Sequence, residues 1–158
     1  MVQELSKHMD RAGQIYMKAA ERVTKYMIGT KDQGLYLQPI EGPFEAIQIY
    51  GISDSAYGDN KESRSSTTGY IIYMMGCATV WQSKSQKHVT LSSAEAEYVA
   101  LSECVAQMYY VKQIIKEMGF KVELPMRVAC DNIGALGMTN HTTSKSHTKH
   151  VDIQYHFV

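Results

Sequence analysis

Residues 92–119, SSAEAEYVALSECVAQMYYVKQIIKEMG, decide how this chain folds. Ala96, Ala100, Cys104, Met108, Val111, Ile115 and Met118 recur at steps of three or four, the period of an amphipathic helix, and Gly119 stands where such a helix stops. Ser92 and Glu95 have the S-x-x-E spacing of a capping box, which assigns Glu95 to the helix start. Glu97 shares a face with Ala100, Leu101 and Cys104, so the helix turns it inward, where an unpaired carboxylate is costly. An acid placed there needs a cationic partner.

The flanking segments are strand-like. AIQIYGISD (46–54) is an apolar run that ends on Asp54, and TTGYIIYMMGCATVWQSK (67–84) reads as two strands joined at Gly76. The polar stretch AYGDNKESRSS (56–66) lies between them. After the helix, MRVACD (126–131) is a short buried strand ending on Asp131, and NIGALGMTN (132–140) is a short helix. The order is β-β-β-α-β-α, then a polar loop and a terminal helix. A strand reached through a helix pairs parallel, so the expectation is an α/β fold with a mixed sheet: three antiparallel strands followed by a parallel one, flanked by helices.

Upstream, IYMKAAERVTKYMIGTKDQG (15–34) sets Tyr16, Ala19, Ala20, Val23, Tyr26 and Met27 at helical spacing. Gly34, Pro39, Gly42 and Pro43 then interrupt the pattern, which divides the chain into a helix and linker over 1–45 and a main domain over 46–158. With 158 residues, 44% hydrophobic and 20% charged, the chain has the size and composition of a folded globular protein. Lysine plus arginine and aspartate plus glutamate balance at 16 each, which excludes a nucleic-acid binder that works by bulk charge and confines any polyanion contact to local patches such as SKSQKH and TTSKSHTKH. Cys77, Cys104 and Cys130 are widely spaced, form no CxxC, and read as reduced core residues of an intracellular protein. No apolar run approaches the ~18 residues of a membrane span, and the polar start is not a signal peptide, so no membrane partner is expected.

Asp54, Glu97, Asp131 and Asp152, the last in KHVDIQYHFV, each stand where a carboxylate would turn toward a common point. Such acids stay ionised together only beside divalent cations, so the expectation is magnesium, with Asp54, Glu97 and Asp131 around two ions spaced ~4 Å apart. In isolation Asp54 could end a strand in a turn, and Asp131 could cap the next helix. A zinc alternative from His141, His147, His150, His156 and Cys130 lacks the paired close ligands on both sides that zinc motifs show. Serine hydrolase chemistry lacks a GxSxG.

The ordered strings SDSAYGD, SRSSTTGY, WQSKSQ, LSSAEAEYVALSE, CDNIGA and TKHVDIQYHF resemble the ribonuclease H domain of copia-type LTR retrotransposon Pol polyproteins, over nearly all of residues 50–158. YMKAAERVTKYMIGTKDQGL is similar to the segment linking reverse transcriptase to that domain, as in a C-terminal piece of the polyprotein. The resemblance implies a ribonuclease H-like fold and metal-dependent hydrolysis of the RNA strand of RNA–DNA hybrids. It implies Asp54, Glu97, Asp131 and Asp152 as catalytic metal ligands for two Mg2+, with Mn2+ as a substitute and no small-molecule cofactor. The implied partners are the hybrid and the reverse transcriptase domain of the same polyprotein, in a cytoplasmic retrotransposon particle.

Arg64, Ser66, Thr67, Lys84 and Lys149 are the candidates for strand contacts. The family's HSRTKH-like stretch here reads KSHTKH, with Lys145 and His147 substituted, so the candidate auxiliary histidine is His147 or His141, with a solvated loop histidine as the alternative. These changes, and a terminal helix expected to be short, motivate the alternative function: a catalytically impaired remnant acting as a nucleic-acid-binding or polymerase-docking module.

Overall fold

The computed structural model describes residues 2–6, 8–11, 13–38, 42–60 and 63–139. The chain divides into two compact units, Met1–Tyr36 and Leu37–Val158.

The first unit holds α1 (Val2–Ser6), a single 3-10 turn (Met9–Arg11) and α2 (Gln14–Gly29). Thr30 closes α2, its N–H donating to the Tyr26 carbonyl, and the His8 ring stacks on Tyr16 with centroids 4.1 Å apart. None of the α2 residues is buried.

In the second unit, β1 (Ile49–Ala56), β2 (Thr67–Met74), β3 (Cys77–Ser85) and β4 (Arg127–Ala129) form one sheet in the order β3-β2-β1-β4. The helix α3 (Ser93–Glu117) lies between β3 and β4 in sequence, and α4 (Ile133–Thr139) follows β4. The β1–β2 and β2–β3 pairs are antiparallel and β1–β4 is parallel, giving the mixed sheet expected for a ribonuclease H-like fold. Met75 and Gly76 make the two-residue hairpin turn with φ of 51° and 81°. Positive φ at both central residues matches the twist of the flanking strands, which is why a glycine serves there.

One face of the sheet packs on α3. Along β1, Ile49, Gly51 and Ser53 are buried while Tyr50, Ile52 and Asp54 are exposed, the alternation of a strand covered on one side. Ile49, Tyr70 and Ile72 from the sheet meet Cys104, Met108 and Ile115 from α3 in the core. The expected periodicity holds from Ala96 to Ile115, and Met118, one residue past the helix, is exposed.

The α3 cap is built as its sequence indicates. Ser92 Oγ accepts from the Glu95 N–H at 3.1 Å, and the Glu95 carboxylate accepts from the Leu91 N–H at 2.7 Å, one residue before the cap. Ser92→Ala should lower unfolding free energy by about 1 kcal/mol in denaturant melts.

Candidate metal centre

β1 and β4 run parallel with Ile52 paired to Ala129, so Asp54 and Asp131 each come two residues past that last pair. Asp54 lies near the end of β1, and Asp131 comes two residues after the end of β4. Both line a cleft of about 310 Å³ with Ile52, Ser53, Ala129 and Cys130. Ser53, itself buried, holds the two strands at this level, its hydroxyl donating to the Ala129 carbonyl at 3.5 Å.

Glu97 enters from the first turns of α3 and is only 6% exposed. Its Oε1 accepts from the Ser55 N–H at 3.1 Å, which anchors the carboxylate to the end of β1 beside Asp54. Its Oε2 lies 4.0 Å from Cys130 Sγ. One ligand atom each from Glu97, Cys130 and Asp131 falls within a 4.8 Å cluster. Asp54 stands outside that tight cluster but shares the cleft with Asp131, and its charge is felt at Glu97.

Burial pushes the Glu97 carboxyl above its ordinary range, and the charges of Asp54 and Asp131 push it further, while the hydrogen bond from Ser55 opposes them. Burial likewise raises the Cys130 thiol, so at neutral pH this sulfur is a neutral neighbour of the carboxylates. All three cysteines are free thiols, Cys104 buried and Cys77 and Cys130 half-buried.

Asp131 has been freed from the capping role open to it in sequence. Asn132 takes that role, its Oδ1 accepting from the Ala135 N–H at 3.0 Å. Tyr98 and Ala135 then pack with Cys130 and Met138, locking the end of β4 between α3 and α4.

The grouped ligand atoms are those of Glu97, Cys130 and Asp131. Asp54, Glu97 and Asp131 offer hard oxygen donors, the ligands that magnesium and manganese prefer. Among the described residues the ion pair with a basic side chain is Lys84–Glu103, at 3.2 Å, so Glu97 has no cationic partner there. Asp152, Lys149, His147 and His141 lie outside the described residues.

The candidates for strand contacts separate by burial. Arg64 is exposed and held at φ 57°. The Thr67 hydroxyl donates to the Asp59 carboxylate at 2.8 Å, and Lys84 pairs with Glu103. Ser66, another of these candidates, is fully buried, with its Oγ accepting from the Gly58 N–H at 3.0 Å and bonded to Thr90 Oγ1 at 2.9 Å. Its hydroxyl organises the loop that leads into β2.

Comparison with curated proteins places this geometry in context. The chain is 31% identical over 157 residues to the retrovirus-related Pol polyprotein from transposon RE1 of Arabidopsis thaliana, a match covering 99% of this chain and 10% of that protein. The corresponding polyprotein from transposon RE2 of the same plant is also 31% identical over 157 residues, and that from transposon TNT 1-94 of Nicotiana tabacum is 30% identical over 154. The chain is similar to a region of retrotransposon Pol polyproteins. It spans about a tenth of the length of these relatives. No family model matches it, and no solved structure matches it.

Cys130, which the sequence offers as a core thiol or as part of a zinc alternative, is the third member of the cluster with Glu97 and Asp131. Adjacency to Asp131 alone does not signal this, because successive side chains of a strand point to opposite faces; β4 ends at Ala129, before both residues. No helix among the described residues is long and apolar enough to cross a membrane.

Proposed function

We propose that this chain is a ribonuclease H-type, metal-dependent endonuclease that hydrolyses the RNA strand of RNA–DNA hybrids during retrotransposon reverse transcription, joined in its polyprotein to a reverse transcriptase domain. Glu97 carries the reading: a buried carboxylate beside Asp131, under the charge of Asp54, with no basic partner among the described residues. For stability alone that arrangement is unfavourable, since a buried charge without a counter-charge costs several kcal/mol. A site that binds divalent cations reverses the balance.

Asp54, Glu97 and Asp131 would hold Mg2+, or Mn2+ in its place, and the family pattern adds Asp152. When bound, two such ions supply Lewis-acid activation of water and stabilisation of charge on the leaving 3′ oxygen. The protein's own contribution is placement. The Ser55 amide fixes one oxygen of Glu97, leaving Oε2 on the side of Cys130, next to Asp131 in the chain, and Ser53 links the ends of β1 and β4. Recognition of the hybrid would rest on backbone shape and 2′-hydroxyls, with Arg64, Thr67, Lys84 and Lys149 as contacts. The similarity to Pol polyproteins supports a substrate of this kind.

The test compares end-labelled RNA–DNA hybrid, duplex RNA and duplex DNA. Cleavage is expected for the hybrid's RNA strand alone, lost in EDTA and restored by Mg2+ or Mn2+. Equal cutting of duplex DNA, or hybrid cutting in EDTA, would sink the reading. Tight hybrid binding without turnover in either metal would select the impaired binding module instead.

A further inference from the structure

Gln86 follows β3 and is 5% exposed, a burial unusual for this residue type. Its backbone N–H extends the sheet by donating to the Ser66 carbonyl at 2.8 Å. Its side-chain Nε2 donates to Thr68 Oγ1 at 3.1 Å and to the Ala96 carbonyl at 3.0 Å. The amide orientation follows from its partners, because the Ala96 carbonyl only accepts and must face the NH2 group.

These bonds close a circuit. Thr68 pairs with Ser55 across the β1–β2 ladder, the Ser55 N–H holds Glu97 Oε1, and Ala96 is the residue before Glu97. Ser55, Thr68, Gln86, Ala96 and Glu97 thus form a ring that joins β1, β2 and α3 at the level of the carboxylates. Only the Gln86 amide bridges β2 to the α3 backbone in this ring.

Stability does not account for the choice of residue. Gln86 Oε1 is buried without a hydrogen-bond partner among the described residues. A half-satisfied buried amide is less favourable than an apolar side chain of the same length. Residues that break a local rule in this way concentrate where geometry matters more than stability.

We infer that Gln86 is a positioning residue for Glu97: its amide fixes the first turns of α3 against β2 and so sets where the Glu97 carboxylate stands relative to Asp54 and Asp131. This rests on the reading of those carboxylates as a metal site. Without the bridge, α3 keeps its apolar contacts with the sheet, but Glu97 loses its fixed height.

The test is a manganese titration by calorimetry on the full chain, with thermal melts in EDTA beside it, for wild type, Gln86→Leu and Gln86→Met. Both variants are expected to melt in EDTA at or above the wild-type temperature yet to bind Mn2+ about tenfold or more weakly, the size of effect seen when groups that orient metal ligands are removed. Thr68→Val, which cuts one arm and leaves the bond to Ala96, should weaken binding less. Unchanged Mn2+ affinity in the Gln86 variants, or failure of both to fold, would overturn the inference and make Gln86 a structural residue. If wild type itself binds no Mn2+, the metal reading fails with it; if wild type binds and the variants bind equally well, the inference about Gln86 fails alone.

Discussion

Glu97→Gln is expected to reduce hybrid cleavage by more than about 100-fold, beyond the loss typical of groups that only support metal ligands, while raising the stability of the metal-free protein. The two effects share one cause. The folded-state pKa of Glu97 is raised above its ordinary 4.5, chiefly by burial. Between the unfolded and folded pKa values the folded state holds more protons than the unfolded state, so stability falls as pH rises through that window. Above the window the loss is complete and constant. Glutamine is neutral at every pH, keeps an oxygen to accept the Ser55 N–H, and can donate toward Asp131. The melting temperature of Glu97→Gln in EDTA should therefore exceed that of wild type at neutral pH, and the gap should close as pH falls below about 4.5. Magnesium should stabilise wild type and not the variant, by linkage. A variant less stable than wild type in EDTA at neutral pH would show that the carboxylate is a structural element.

Gly51→Ala should destabilise the main domain by about 1–3 kcal/mol, the usual cost of overpacking a filled core. A Cβ at position 51 would stand 2.6 Å from Met108 Sδ, 2.9 Å from Cys104 Sγ and 3.3 Å from Val128 Cγ2. Met108 and Cys104 are themselves buried, so their sulfurs have little room to retreat. Glycine here lets α3 approach the centre of the sheet, and the same approach carries Glu97 to the end of β1. Unfolding in urea at matched pH, with and without magnesium, measures the cost. A midpoint equal to wild type would mean that α3 rides higher on the sheet than the structure shows.

Much of this architecture is written locally in the chain. The 3.6-residue period of residues 96–115, the Ser92 and Glu95 pair and the two-residue turn before Cys77 are short-range signals, each enforced by backbone geometry. The inward face of Glu97 follows from the same period. What depends on pairing between distant segments was harder to read. Ser66 ends the polar stretch 56–66, and only the return of Thr90 and Gly58 toward it shows that it is interior. Gln86 sits in a basic-looking run, SKSQKH, and nothing near it in sequence announces that Thr68 and Ala96 will enclose it. The sequence offers Asp131 as a cap for α4, and the fold gives that role to its neighbour Asn132. Capping and metal binding ask for the same side-chain chemistry, so sequence alone could not divide the roles.

The most direct test is RNA release from an end-labelled RNA–DNA hybrid in magnesium by the wild-type chain beside Asp54→Asn, purified in parallel. Cleavage of the RNA strand by wild type, lost in the variant, is the result expected of a carboxylate metal centre at the ends of β1 and β4. Equal cleavage by both proteins, or none by either while the wild-type chain is folded, would contradict it.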